Sequence, residues 1–291
     1  MKDKKKLLRW ILPAAGVLLV AYGGVRLAGY LTDMNRARQT TAELREAAAT
    51  EAVTAEPAGT DAPAGTPEPL PKTTVPAPTE TALPEKTAAV SAMLPNVEYP
   101  NGYELVPRIQ KLRKKSEYII GWITMDDLDE PVALKDNEFF LNHDATGKRN
   151  SNGAIFMDEG TRLLTRPYTI LLYGHNMKSG MMFGNLRKYE DPVYCRKHRM
   201  IRLDTLYEEG RYEIFAVVTI SVTPGKARYL NLWALQSTDR ETRKDALTNL
   251  KRANSYVSTA EVSEEDQILL LITCVGDDDE RLVVAAVRIK E

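Results

Sequence analysis

The chain has 291 residues, room for one or two domains, and its 43% hydrophobic share is enough for a real core. Its 39 basic and 40 acidic side chains leave a formal charge of −1, which excludes the large positive field of a nucleic-acid-binding protein. Cys195 and Cys274 stand far apart and the histidines are only His143, His175 and His198, so neither a disulfide framework nor a metal cage is expected, and no cofactor motif occurs.

The amino end, MKDKKKLLRW, carries Lys2, Lys4, Lys5, Lys6 and Arg9 ahead of an apolar run from Trp10 to Val25, and Arg26 interrupts before LAGYL. That run is slightly short of the roughly 20 residues a bilayer needs, but Arg26 can snorkel to the headgroups and extend the usable stretch over residues 10–31. The basic tip should stay cytoplasmic, which predicts a single-pass anchor over residues 1–32 with the rest of the chain extracellular. A cleaved signal peptide is the rival reading, kept open by LAG.

Residues 33–95 are rich in Ala, Thr, Pro and Glu and poor in large apolar side chains, so they are expected to form a disordered stalk. Its first part, MNRARQTTAELREAAATEA, permits helix, and the Pro-rich remainder reads as an extended tether.

Residues 96–291 have the size and patterning of one domain. Leu105, Ile109 and Leu112 recur at helical spacing. The runs YIIGWITM, PVAL, GAIFMD, YTILLYG, RYEIFAVVTISV, QILLLITC and RLVVAAVRI then read as strands. Between the fifth and sixth, TDRETRKDALTNLKRANSY reads as a helix, with Thr238 and Glu241 as a capping box and Ala246, Leu247 and Leu250 as its apolar face. The fold class predicted is mainly β, a closed or nearly closed barrel with a few flanking helices.

The chemistry-bearing residues sit at strand ends. Cys274 closes ILLLITC, a polar VGDDDE loop follows, and Arg281 opens the returning strand. A hairpin would bring that guanidinium near the thiol, favouring thiolate and offering a donor to an oxyanion; a buried, inert cysteine is the bland alternative. His175 ends the strand Thr169–Tyr173 and could meet a group from another strand, giving the minimum set for thiol-dependent acyl transfer. His143 and His198 lie in polar stretches and are weaker candidates, and Cys195 is expected to be structural or incidental.

Three segments in order resemble the sortase family, class B. YGHNMKSGMMFGNLRKY is similar to its histidine segment, GWITMDDLDEPVALKDNEFFLNHDATGKRNSNGAIFMD to its early strands, and LITCVGDDDERLVV to its Thr-Cys strand with a downstream arginine. The likeness runs from Gly121 to the end of the chain. It implies a membrane-anchored cysteine transpeptidase with Cys274 as nucleophile, His175 as acid and base, and Arg281 with the Val275 backbone N–H as oxyanion donors. Asn137, Leu141, Tyr173 and Thr273 match positions lining the peptide groove. The partners implied are exported proteins with a C-terminal sorting signal, and an acceptor amine from a cell wall precursor or a pilin lysine. Leu270 stands where the family often has threonine, and the loop from Asp277 to Glu280 is a solvated turn or, less simply, a cation site. A peptidase releasing product to water and a non-enzymatic wall-binding β-domain are the competing functions.

Overall fold

The computed structural model describes residues 2–49, 102–164, 166–254, 256, 258–275 and 279–290, without the side chains of residues 2–17. The apolar runs form β1 (Ile119–Met125), β2 (Leu128–Ala133), β3 (Ile155–Met157), β4 (Thr169–Tyr173), β6 (Glu209–Ser221), β7 (Ile268–Cys274) and β8 (Glu280–Arg288), and a charged stretch not expected as a strand adds β5 (Met200–Asp204). They close into a barrel in the order β1-β2-β3-β4-β7-β8-β6-β5, which leaves no free sheet edge.

Strand β7 is buried on both faces up to Thr273, which explains its unbroken apolar sequence. Leu269 and Leu271 join Ile123, Val132, Leu172 and Val284 in one core cluster. Ile268, Leu270 and Ile272 belong to a second, with Leu247 and Leu250 of a flanking helix. A third cluster gathers Trp122, Phe140 and Phe156 around Ile109 and Leu112.

Among the described residues four α-helices accompany the barrel: α1 (Lys2–Ala49), α2 (Pro107–Arg113), α3 (Pro192–Lys197) and α4 (Arg240–Ala253). The α4 cap differs from the expected box: Asp239 is the N-cap and takes the Thr242 N–H. Its carboxylate is a stronger acceptor at a helix start than the Thr238 hydroxyl one residue earlier.

No helix among the described residues is long and apolar enough to cross a membrane. The charge of Arg26 interrupts the apolar stretch of α1, whose helix continues without a break past residue 32. Leu18, Leu19, Val20, Tyr22, Val25 and Leu27 are exposed. Further along, Ala37, Thr41 and Leu44 are buried, a stripe at helical spacing that packs the helix on the barrel. Asp33 accepts from Ser151 Oγ at 2.7 Å, and Arg45 pairs with Asp129 at 2.5 Å. The first part of the expected stalk is therefore ordered and docked, while residues 50–95 lie outside the described residues.

The docked helix covers Glu130, whose carboxylate accepts from Thr41 Oγ1 at 2.7 Å. Burial pushes the Glu130 carboxyl up to about 7 from 4.5, with Asp129 adding to the rise and Thr41 and Arg45 opposing it. The docked form thus holds its proton more tightly than the free form. Docking is fully favoured below pH 4.5 and weakens as pH rises to about 7. Hydrogen exchange over residues 33–48, corrected for intrinsic rates, is expected to quicken between pH 5 and pH 8. Glu130→Gln should flatten that response; an unchanged response in the variant would contradict the assignment.

Candidate active site

Strands β4 and β7 are parallel neighbours, and Tyr173 is the register partner of Ile272. Two further residues along each strand direction, the chain reaches His175 and Cys274, at the same end of the barrel. On the other side of β7, Cys274 is the register partner of Arg281 in β8. The barrel's strand order therefore brings together three residues that are far apart or loop-separated in sequence. Cys274 is exposed as the last residue of its strand, whereas Cys195 is buried and free of any disulfide. Burial pushes the Cys195 thiol up to about 11, the chemistry of an inert core sulfur.

The histidine loop is tied to the cysteine strand by three hydrogen bonds. Gly174 N–H donates to Ile272 O at 3.3 Å, Thr273 Oγ1 donates to Gly174 O at 2.7 Å, and Asn176 Nδ2 donates to Cys274 O at 2.9 Å. Thr273, expected in the groove, is buried and serves this connection. Asn176 was not singled out by the sequence, although it directly follows the histidine.

The imidazole has its own anchor. His175 Nε2 lies 2.7 Å from Leu141 O, and a carbonyl only accepts, so Nε2 carries the proton. The nitrogen left to exchange a proton is Nδ1. Gly153 makes room for this arrangement: its φ is +64°, and a Cβ there would lie 2.4 Å from Phe140 O and 3.1 Å from His175 Cδ2. Gly153→Ala should cost at least about 1–2 kcal/mol for the left-handed backbone alone. It should also push the ring off Leu141 O. Thermal melting and peptide turnover should both fall; wild-type turnover would refute the packing role.

Two of the residues expected in the groove, Asn137 and Tyr173, meet at one carboxylate. Asp158 Oδ2 accepts from Tyr173 Oη at 2.9 Å and from Asn137 Nδ2 at 3.2 Å. Burial, then the Asp158 charge, holds the Tyr173 hydroxyl far above the ordinary tyrosine range, opposed by the Trp233 hydrogen bond and the Arg281 charge. Leu141 is exposed nearby in the chain, following the buried Phe140.

The Sortase domain family matches residues 127–289 of this chain. The chain belongs to the sortase family. Sortase B of Listeria monocytogenes serovar 1/2a is 31% identical over 179 residues, covering 60% of this chain and 70% of the relative. Sortase B of Staphylococcus aureus is 30% identical over 193 residues, covering 63% and 75%. Among solved structures, a Bacillus anthracis protein described as similar to sortase B superposes with a TM-score of 0.58 at 31% identity, covering 69% of this chain and 90% of that one. A Staphylococcus aureus sortase B–substrate complex gives 0.56 at 26% identity, covering 64% and 87%. Sequence and structure relatives alike are class B sortases, and the protein is a cysteine transpeptidase of that kind.

In this sortase the loop after the cysteine departs from expectation. The Val275 N–H donates to Glu280 O at 3.2 Å and closes the β7–β8 hairpin. Serving an oxyanion would require that bond to open. Arg281 itself donates to Glu280 O at 2.9 Å. Residues 276–278 lie outside the described residues, so the acidic run is described only at Asp279 and Glu280. These are not merely solvated: Lys226 pairs with Asp279 at 2.8 Å and Arg228 with Glu280 at 2.5 Å. His143 lies 2.8 Å from Phe139 O and His198 is 2.8 Å from Asp126, so both imidazoles are engaged away from Cys274.

Proposed function

We propose that this sortase cleaves a sorting signal near the carboxyl end of exported proteins and transfers the acyl group to an amine. The observation that carries the reading is the strand register, which supports Cys274, His175 and Arg281 as one catalytic set. Thiolate Cys274 attacks a threonine carbonyl carbon, forming a C–S bond and a tetrahedral oxyanion that faces the Arg281 guanidinium. His175, protonated on both nitrogens, gives its Nδ1 proton to the amide nitrogen as the C–N bond breaks. The thioester remains on Cys274. An incoming amine then attacks it, Nδ1 takes a proton from that amine, and the thiolate departs. Asn137, Leu141 and Tyr173 line the groove in this reading, and the acceptor is an amine of a cell wall precursor or a pilin lysine.

The anchor belongs to the same proposal. Six large apolar side chains of α1 between Leu18 and Leu27 are exposed among the described residues, which supports insertion of residues 10–31 in a bilayer with the basic tip inside. The catalytic domain would then lie outside the cell, attached close to the membrane by the docked part of α1. Mass spectrometry of the products, with and without an added oligoglycine or diamino acceptor, tests the reaction. Acceptor-linked product that vanishes in Cys274→Ala is expected; product released only to water would overturn transfer. Carbonate washing of membranes should leave the full chain in the pellet, and its release would overturn the anchor.

A further inference from the structure

Asp158 is a nearly buried carboxylate, 5% exposed, at the end of the GAIFMD run. Its oxygens are divided between two tasks. Oδ1 accepts the Gly160 N–H at 3.0 Å, while Oδ2 accepts Tyr173 Oη–H and Asn137 Nδ2–H. The Asn137 amide is fixed at its other end too, since its Oδ1 accepts the Glu159 N–H at 3.0 Å. That fixes which way the amide faces and leaves its second N–H without a partner among the described residues. The Tyr173 proton is likewise committed inward, since its hydroxyl donates to Asp158 Oδ2 at 2.9 Å.

We propose that Asp158 is the positioning residue of the substrate groove: it fixes Tyr173 as a wall and orients Asn137 so that one N–H faces a peptide carbonyl. The inference rests on the groove reading given under the proposed function. A carboxylate is required because both oxygens must accept. An asparagine at 158 has one acceptor oxygen, so its NH₂ must face either Gly160 N–H or the Tyr173 and Asn137 donors. A hydrogen bond to a charged group lost in this way weakens binding about tenfold or more.

The test uses full-length Cys274→Ala protein, which binds without turning over, and a hexapeptide library with a fixed central threonine as probe. Asp158→Asn is expected to raise the Kd of the best-binding peptide about tenfold. In otherwise wild-type protein the same change should raise KM, with kcat and the rate of Cys274 alkylation by iodoacetamide within about twofold. Tyr173→Phe should raise Kd as well, and less so when Asp158→Asn is already present, because the two act through one bond. An unchanged Kd in Asp158→Asn overturns the inference, as does strict additivity of the pair, or a fall in kcat and alkylation at constant KM. If Asp158→Asn does not fold, Tyr173→Phe decides alone: a rise in Kd supports the inference and an unchanged Kd overturns it. Peptide binding without cleavage by the wild type would instead overturn the proposed reaction while leaving the groove assignment standing. Absence of binding by every library member overturns both.

Discussion

Substitution of His175 by glutamine should lower peptide turnover about 10³-fold while leaving the fold in place. Glutamine can still donate a hydrogen bond to Leu141 O, the contact that Nε2 makes at 2.7 Å. It cannot carry a proton to a departing nitrogen at Nδ1. The two functions of the ring, holding and proton transfer, are therefore separable by one substitution. His175→Ala should lose the same rate and also free the Leu141 carbonyl. Stopped assays of acyl-enzyme formation, with circular dichroism as the fold control, decide it. Glutamine at near-wild-type rate would mean that another group protonates the leaving amine.

Arg281→Ala should lower kcat/KM by about 10²–10³-fold, the usual cost of removing an oxyanion donor. The backbone alternative, Val275 N–H, already donates to Glu280 O. Arg281→Lys should recover little, since an ammonium lacks the fixed fork of the guanidinium and loses the donation to Glu280 O made at 2.9 Å. Arg281 is only half-buried at the start of β8, so stability should change by less than about 1 kcal/mol. Full activity in Arg281→Ala would transfer the oxyanion role to a backbone donor.

Both experiments address residues that were readable before any coordinates. The barrel was legible because seven of its strands are apolar runs bounded by polar loops. The eighth, β5, was not: Met200–Asp204 alternates exposed and buried positions and carries Arg202 and Asp204, so it resembles a charged loop. Arg202 and Asp204 are paired at 2.9 Å, with Asp204 fully buried, which is how that strand tolerates its charges. The docked part of α1 escaped notice because Ala37, Thr41 and Leu44 are small or isolated among Ala, Thr and Glu. A periodicity of three and four was present, but composition outweighed it.

At the site, Cys274, His175 and Arg281 were legible because each ends or begins a strand beside a recognisable motif. Their supports were not. Leu141 was expected to line the groove, and its carbonyl also holds the imidazole. Val275 was expected to offer its N–H to substrate, and the hairpin uses it. Asp158 stood only as the last residue of the strand-like run GAIFMD, with no role of its own. Trp233 sits on a 3-10 turn whose sequence gives no hint of the Tyr173 hydroxyl beside it. Backbone partners and cross-strand neighbours depend on register, which the order of residues along one chain does not state.

The most direct measurement is intact-protein mass spectrometry of wild-type enzyme quenched in acid after mixing with the threonine-centred peptide library and no amine. The account predicts a mass increase equal to the acyl half of one peptide, mapped by digestion to Cys274, and absent after His175→Ala. An adduct on Cys195, or none on either cysteine while the peptide is consumed, would contradict it.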